Sequence, residues 1–313
     1  MQTILGASGQ IARELARELK RNYTDDLRLV SRHPQKVNDS DMTCAADLLD
    51  AQQTRNAVKG SDTVYYAAGL PPDSALWEQQ FPTMLKNALE AARMAEAKFF
   101  YFDNTYMYPQ SNAPQTEETR FAPRGRKGKV RAAMADRVLD EMKRAEIPVL
   151  IGRAPEFYGP GKTQSFTNAL ILDKLKSGKR PRVPVRDDKL RTLIWTPDAS
   201  RALAVLGNRP DAYGQSWHLP CCDDRLTYQQ FVTLACDIFG QQADYSIISK
   251  LAFTAARLVS KGAREIRELL PRYEFDNLFE SEKFKQRFPD FAVTTYREGL
   301  EKIWQEWSKS GTL

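Results

Sequence analysis

The chain has 313 residues, of which 42% are hydrophobic and 27% charged, ordinary values for a globular protein with a sizeable core. It has four cysteines, two histidines and no apolar run near the roughly 18 residues that span a bilayer, which argues against a disulfide scaffold, a histidine-rich metal site and a membrane protein. The net charge of +6 favours anionic ligands but is too small to indicate nucleic-acid binding. We therefore expect a soluble, cytoplasmic protein with no metal, nucleic-acid or membrane partner, and a homodimer remains open.

The first twelve residues predict a cofactor-binding turn. A short apolar run, 3–5, precedes Gly6, Gly9 and Ala12 at three-residue intervals, and a helical apolar pattern follows. Gly6 suits a tight turn, Gly9 lets backbone approach a pyrophosphate, and a small residue at 12 allows close helix packing. The predicted dinucleotide contacts are Gly6, Ser8, Gly9, Gln10 and Ile11.

The end of the predicted second strand, 27–31, indicates which dinucleotide binds. NAD enzymes place an acidic residue here for the ribose 2′-hydroxyl, whereas NADP enzymes supply cations for the 2′-phosphate. This chain has Ser31 and Arg32, followed by His33, with Lys36 one helical turn on. The alternative is a solvated basic turn. We predict NADP rather than NAD, bound by Ser31 and Arg32.

Further strands at 43–46, 62–69 and 99–102, alternating with helices such as 50–59, predict an α/β fold with a doubly wound parallel sheet. Ligands bind at the carboxyl ends of such strands. The expected cofactor contacts there are Asp47, Leu48, Ala67, Ala68 and Gly69.

Seven stretches carry a family resemblance: 6–12, 47–48, 66–68, the strand through Tyr108, 153–161, 191–198 and 217–219. Together they resemble an extended short-chain dehydrogenase/reductase of the NAD-dependent epimerase/dehydratase family. The resemblance implies a Rossmann-type NAD(P)-binding domain over 1–160, to which 191–219 returns, and a smaller C-terminal substrate-binding lobe over 161–313. It also implies an NAD(P)-dependent oxidoreductase or epimerase.

Two of these stretches concern the substrate. The segment from Arg153 to Gly161 is similar to the family's segment beside nicotinamide and substrate. The segment from Arg191 to Asp198 resembles R-D-x-I-x-V-x-D, whose arginine commonly meets a substrate phosphate. The resemblance therefore implies substrate contacts from Arg153, Glu156 and Arg191. Arginine-rich runs at 120–131 and 179–191 predict a small anionic substrate, a phosphate, nucleotide or carboxylate, unless each run is a solvated face.

The chain departs from the family at its catalytic positions. The family has Ser or Thr after the fifth strand and a Y-x-x-x-K pair in the next helix. Here Asn104, with Thr105 beside it, takes the first place, while Lys127 and Arg131 take the other two. The usual proton donor is therefore missing.

Several replacements remain open. Thr105 or Asn104 would polarise a substrate oxygen, and Lys127 or Tyr106 would exchange the proton. Like charge from Arg126, Lys129 and Arg131 would disfavour the ammonium form of Lys127, as an acid/base requires. The alternative is that 120–131 forms a solvated basic loop or a phosphate clamp. A second function is also open: a non-catalytic NADP sensor that signals to a regulatory partner.

The C-terminal part predicts lobe helices. An apolar spacing over 166–175 ends at Gly178, and Thr227 with Gln230 forms a predicted capping box for a helix to Gly240. The basic amphipathic stretch 250–270 is expected to pack within the lobe rather than on a membrane. We expect the later aromatic residues to pack in the core as well, namely Phe284, Phe288, Phe291, Tyr296, Trp304 and Trp307.

Overall fold

The computed structural model describes residues 1–161, 163, 165–251 and 261–309, which form two compact units. Unit 1 comprises 1–107, 121–154 and 199–219, and unit 2 comprises 108–120, 155–198 and 220–313. Residues 108–120, 155–160 and 191–198, predicted to belong to the first domain, therefore cluster with the second, whereas 199–219 returns to the first. The functional roles assigned to the two domains stay predictions.

Thirteen strands are formed by the described residues: β1 Gln2–Leu5, β2 Leu27–Ser31, β3 Met42–Ala45, β4 Thr63–Tyr66, β5 Lys98–Asp103, β6 Val149–Arg153, β7 Glu156–Tyr158, β8 Arg182–Pro184, β9 Leu190–Arg191, β10 Leu193–Trp195, β11 Gln215–His218, β12 Leu226–Thr227 and β13 Ser246–Ile248. The α-helices of the same residues are α1 Gln10–Asn22, α2 Ala51–Val58, α3 Ser74–Met94, α4 Gly125–Arg144, α5 Asp173–Lys176, α6 Thr196–Gly207, α7 Tyr228–Ile238, α8 Lys261–Arg267, α9 Glu282–Arg287 and α10 Tyr296–Lys309.

Unit 1 is built on a seven-stranded sheet in the order β11-β6-β5-β4-β1-β2-β3, and every neighbouring pair is parallel. The order reverses at β1, which lies between β2 and β4. This confirms the predicted doubly wound α/β sheet. Ligands of such sheets bind beyond the carboxyl ends of the strands at this switch point.

One apolar cluster joins the sheet of unit 1 to α2, α3 and α4. Met84, Ala88 and Ala91, which lie on one face of α3, are all buried within it. Asp50 caps α2 through its carboxylate, which accepts from the backbone N–H groups of residues 52 and 53. The cluster fixes α3 and α4 against β4, β5 and β6, and so positions the first turn of α4.

Unit 2 has two-stranded pairings and its own aromatic core. The capping box of Thr227 and Gln230 is present at α7, and Tyr296 and Trp307 are buried in the cluster, which confirms both predictions. Trp304 stacks on Phe239 at 5.4 Å.

One predicted helix of unit 2 is interrupted. The apolar spacing over 166–175 predicts a single helix, but the chain forms a π-helical turn, Asn168–Leu172, before α5. The side chain of Asn168 donates to the carbonyl of Gly159 and accepts from its N–H group. The spacing of apolar residues in the sequence does not reveal this tertiary contact.

The basic stretch 250–270 includes residues 252–260, which lie outside the described residues, so the prediction for them is not assessed. Within the part of the chain that the structure describes, no helix is both long and apolar enough to cross a membrane. In that same part, His, Cys, Asp and Glu side chains form no group of three that would hold a metal ion.

Candidate functional site

Gly6 makes the turn after β1 possible for two reasons. Its φ is +87°, in the region that L-residues rarely adopt, and a Cβ there would lie 2.5 Å from Cα of Ala68. Ala68 belongs to the segment after β4, so the loops of the two strands at the switch point touch through backbone. Only glycine permits both the turn and this close approach.

The N-terminus of α1 follows directly. Gly9 is the N-cap residue, no side chain caps the helix, and its first turn contains no acidic residue. Backbone N–H groups at such an end attract an anion. A Cβ on Gly9 would meet only the carbonyl oxygen of Gly6, at 3.5 Å, so packing within the chain does not require glycine here. A ligand that approaches this backbone closely would require glycine at position 9.

The end of β2 is tied to this turn. The hydroxyl of Ser8 donates to the hydroxyl of Ser31 at 2.9 Å. Arg32, the next residue, is exposed and bonds no residue that the structure describes. The chain thus presents two hydroxyls and a guanidinium, with no carboxylate at the strand end.

The other predicted cofactor residues divide between surface and core. Ala67 and Ala68 are half-buried and Gly69 is exposed, as a ligand-facing segment requires. Asp47 accepts a hydrogen bond from the backbone N–H of Leu49 at 3.0 Å. Leu48 is buried in the apolar cluster, so packing accounts for it.

Asp103, the last residue of β5, lies opposite Arg153 in the β5–β6 register. Its carboxylate accepts from Nη2 of Arg131 at 2.6 Å and from Nε of Arg153 at 3.4 Å, and all three side chains are buried. Arg131 also lies over the rings of Phe81 and Tyr101. Burial opposes its charge, but Tyr101 and Asp103 raise the pKa of the guanidinium above its ordinary value. Two cations and one anion therefore form a buried cluster at the carboxyl end of the sheet.

The basic run 120–131 separates into two groups. The exposed members are Arg120, Arg124, Arg126 and Lys129, and the buried members are Lys127 and Arg131. The two buried residues are four apart in α4 and therefore share one helix face. The alternative of a solvated loop is wrong for both, because 126–131 is helical and this face is covered.

Lys127 lies in the first turn of α4 and is completely buried. Its Nζ donates to the hydroxyl of Ser74 at 2.6 Å and lies 6.0 Å from the ring centroid of Trp77. The ring of Tyr106 stacks on the same Trp77 at 6.1 Å. The structure therefore brings together the two predicted proton-exchanging residues. Gly128 allows this approach, since a Cβ there would lie 2.9 Å from the carbonyl oxygen of Tyr106.

Two of the three cations proposed to repel the Lys127 ammonium have acidic partners of their own. Arg126 forms a two-bond pair with Glu78, and Arg131 is bound to Asp103. Lys129 is exposed to solvent. The like-charge argument for Lys127 is correspondingly weak.

Asn104 and Thr105 differ in accessibility. Thr105 is buried, whereas Asn104 is half-buried. Oδ1 of Asn104 accepts a hydrogen bond from the backbone N–H of Tyr106 at 3.0 Å, so the amide nitrogen of Asn104 points away from that N–H group.

Unit 2 contains a second buried charge cluster. Nη2 of Arg191 donates to Oε1 of Glu156 at 2.9 Å, and the guanidinium lies 4.8 Å from the ring centroid of Tyr273 and 5.9 Å from that of Tyr228. The Tyr228 hydroxyl donates to the other Glu156 oxygen at 3.3 Å. Burial opposes ionisation of Glu156, but Arg191 and Arg272 hold the pKa of its carboxyl below the ordinary value. Arg191, predicted to bind substrate phosphate, is thus buried against a carboxylate of its own chain.

A family model for the NAD-dependent epimerase/dehydratase family matches residues 3–219. The chain belongs to this family. No curated protein matches the sequence significantly. Family membership agrees with the resemblance read from the motifs and places the chain among NAD(P)-dependent epimerases and oxidoreductases.

Several solved structures share the fold over nearly the whole chain. A UDP-glucuronic acid 4-epimerase from Bacillus cereus, in complex with UDP-glucuronic acid and NAD, is 15% identical with a TM-score of 0.80, covering 99% of this chain and 100% of its own. MoeE5 in complex with UDP-glucose and NAD is 19% identical with a TM-score of 0.78, covering 100% and 99%. A nucleoside-diphosphate-sugar epimerase from Pseudomonas aeruginosa is 16% identical with a TM-score of 0.76, covering 100% and 98%.

Sequence reasoning missed the partners that hold the predicted residues. Neither Asp103 nor Ser74 is among the residues that the sequence predicts for the site. A charged residue at the carboxyl end of an otherwise apolar strand is the signal that would have marked Asp103. No local signal marks Ser74.

Proposed function

We propose that the protein is an NADP-dependent oxidoreductase or epimerase in which Lys127 exchanges the substrate proton. One observation carries the proposal: Lys127 and Arg131, which the resemblance aligns with the family's two catalytic helix positions, are the buried members of an otherwise exposed basic run. Burying two cations on one helix face is costly unless each has a partner, and Ser74 and Asp103 are those partners. A basic run selected only for solubility would not be divided in this way.

The residues of unit 1 fit a dinucleotide. The Gly6 turn and the uncapped start of α1 would hold the pyrophosphate, and Arg32, with Ser31 and Ser8, would hold a 2′-phosphate. The bound cofactor supplies or accepts a hydride at its nicotinamide. Two of the related structures above contain NAD, so the preference for NADP rests on Arg32 and on the missing carboxylate at the end of β2.

The chain's own part in the reaction is proton exchange and polarisation. The Lys127 ammonium would donate a proton to the oxygen of a carbonyl as it is reduced, and the amine would accept it in the reverse direction. The hydroxyl of Ser74 accepts a hydrogen bond from Nζ and so orients it, and Tyr106, whose ring stacks on Trp77, is the alternative donor. Asn104, which is half-buried, or Thr105, which is buried, would polarise the substrate oxygen.

The substrate is proposed to be small and anionic, as the net charge and the UDP-sugar complexes of related proteins suggest. Several arginines of the run 179–191 have acidic partners: Arg180 with Asp244, Arg186 with Asp188, and Arg191 with Glu156. Lys179 and Arg182 are exposed, and their side chains form no hydrogen bond or ion pair with a residue that the structure describes. These two are the better candidates for a substrate anion.

A matched pair of lysine variants tests the proposal. Turnover of NADPH is measured against a panel of phosphorylated and carboxylated carbonyl compounds for the native protein, Lys127→Met and Lys129→Met. We expect Lys127→Met to lower kcat by about 10²–10⁴-fold, the usual contribution of general acid/base catalysis, with NADPH affinity unchanged. Lys129→Met, an exposed change two residues away, should leave kcat unchanged. Equal kcat for native protein and Lys127→Met would remove Lys127 from the mechanism.

A second function is favoured by a different observation. Arg131, at the position of the family's ribose-orienting lysine, is bound to Asp103 and is enclosed by two aromatic rings. A protein that keeps its cofactor turn but fixes this residue structurally is suited to sensing NADP without catalysis. Tight NADPH binding together with no turnover across the whole panel would favour this function.

A further inference from the structure

The N-terminus of α3 lies against the buried end of the Lys127 side chain. Ser74, whose hydroxyl accepts from Nζ, is the first residue of this helix, and Asp73 is its N-cap residue. A helix N-terminus carries a partial positive charge, which disfavours an ammonium group beside it. A hydroxyl contributes no charge, so the bond to Ser74 offsets only part of the cost of burying the ammonium. A carboxylate at the same helix end would offset both effects.

The carboxylate of Asp73 is held at this helix end by local contacts. Its Oδ1 accepts from the backbone N–H of Leu76 at 3.1 Å, which caps α3. The carbonyl of Pro71 accepts from the backbone N–H of Asp73 and from Nε1 of Trp77, both at 2.7 Å. The ring centroid of Trp77 lies 6.0 Å from Nζ of Lys127. The turn that carries Asp73 is therefore tied to the same ring that the Lys127 ammonium approaches.

The other carboxylates on the surrounding elements have different partners or lie further away. Both oxygens of Glu78, one turn along α3, are bonded by Arg126. Asp103, at the end of β5, is bonded by Arg131. The first acidic residue of α4 itself, Asp136, lies more than two helical turns beyond the buried lysine.

We infer that Asp73 is the positioning residue of Lys127, its carboxylate serving as the counter-ion of the buried ammonium. Adjacent Cα atoms are about 3.8 Å apart, so Nζ, bonded to the side chain of Ser74, is close to the position of Asp73. A counter-ion keeps the lysine in the ammonium form, which donates a proton to a carbonyl as it is reduced. The inference rests on the proposed function only in giving Lys127 a part in proton exchange, because the pairing itself is a property of the folded chain.

The first test measures the pairing without turnover. Urea midpoints are compared for native protein, Asp73→Asn, Lys127→Met and the double variant. Asparagine also caps helices, so Asp73→Asn removes the charge and keeps the cap. We expect this change to lower the midpoint of native protein at least twice as far as that of Lys127→Met, which has no ammonium to lose its counter-ion. An equal lowering in both backgrounds would overturn the inference.

Asp50→Asn is the matched control. Asp50 is the N-cap residue of α2, and its carboxylate accepts from the backbone N–H groups of Gln52 and Gln53. This change should lower the midpoint by the same amount with and without Lys127, and a dependence on Lys127 equal to that of Asp73→Asn would contradict a local pair. If Asp73→Asn does not fold, Asp73→Ser, which also supplies a capping side chain, takes its place.

The second test measures the pH dependence of kcat with the carbonyl compound that native protein turns over. Removing the carboxylate disfavours the ammonium form, so kcat should begin to fall at a pH about 1–3 units lower in Asp73→Asn than in native protein. The other charged or titratable groups at the site, Arg126, Arg131 and Tyr106, are the same in both proteins. Identical pH profiles would show that Asp73 is only a helix cap and would overturn its positioning role.

This inference and the proposed function fail separately. Equal effects of Asp73→Asn in the two backgrounds, together with a large loss of kcat in Lys127→Met, would reject the pairing and leave the proposed function standing. Unequal effects, together with an unchanged kcat in Lys127→Met, would establish the pairing and remove Lys127 from the mechanism.

Discussion

Arg131 of α4 donates a 2.6 Å hydrogen bond to Asp103 at the end of β5, and the family resemblance aligns this arginine with the catalytic lysine. Asp103 also binds Arg153, so one carboxylate neutralises part of the charge of two buried arginines. The residue that replaces the lysine is therefore a structural cation as much as a catalytic candidate.

Removing the Asp103 charge should destabilise the protein strongly. Asp103→Asn leaves two buried guanidinium groups without their shared anion, and we expect a loss of about 3–5 kcal/mol in the free energy of unfolding. Asp140→Asn is the control, because Asp140 pairs with Lys143 on the same helix α4 while both side chains are exposed. That change should cost less than about 1 kcal/mol. Urea denaturation measures both free energies of unfolding. Equal losses would show that the buried cluster stabilises the protein no more than an exposed ion pair does.

Substituting Gly6 should affect both stability and cofactor binding. Gly6→Ala combines a positive φ with a Cβ only 2.5 Å from the Ala68 backbone, and strain with overpacking predicts a cost of about 2–5 kcal/mol. Gly60→Ala is matched, since Gly60 has φ +76° but open space around its Cβ position. Strain alone predicts about 1–2 kcal/mol there, with NADPH binding retained. Equal free energies of unfolding for the two variants would show that the contact with Ala68 adds nothing to the cost of the Gly6 substitution.

The cofactor preference depends on one exposed arginine. Charge-assisted hydrogen bonds from Arg32 to a 2′-phosphate contribute about 1.5–3 kcal/mol, so Arg32→Ala should weaken NADPH binding by roughly 10–150-fold and NADH binding hardly at all. Arg55→Ala, another exposed arginine of unit 1, serves as the control. Fluorescence titration with both nucleotides measures the effect. Equal weakening of NADPH and NADH, or tighter binding of NADH by the native protein, would contradict the proposed preference.

The Glu156–Arg191 pair should make stability depend on acid pH. Because the folded-state pKa of Glu156 lies below its ordinary value of 4.5, the pair's contribution is complete above that value and is lost as the pH falls through the folded-state pKa. The stability difference between native protein and Glu156→Gln should therefore be constant from pH 8 to about 6 and shrink below about pH 4.5. Urea unfolding at pH 7 and pH 4 measures this difference. A difference that grows on acidification would reverse the assigned direction.

The sequence predicted elements whose determinants are local. The order of strand, Gly6 turn and helix follows from a few adjacent residues, and the capping box at Thr227 requires only a residue three positions on. The catalytic region depends on contacts between distant segments. Lys127 looks solvated within its basic run, and only the position of α3 beside α4 brings Ser74 to it. Likewise, Glu156 and Arg191 lie 35 residues apart, so neither run reveals that the arginine is already paired.

The most direct test of the account is the structure of the protein with NADP bound. The measured quantity is the distance from each candidate side chain to an oxygen placed above nicotinamide C4. We predict that Nζ of Lys127 or the hydroxyl of Tyr106 lies within hydrogen-bond reach, about 2.6–3.2 Å, of that oxygen. If Lys127, Tyr106, Thr105 and Asn104 all point away from it and no other titratable group takes their place, the enzymatic function is contradicted and the sensor remains.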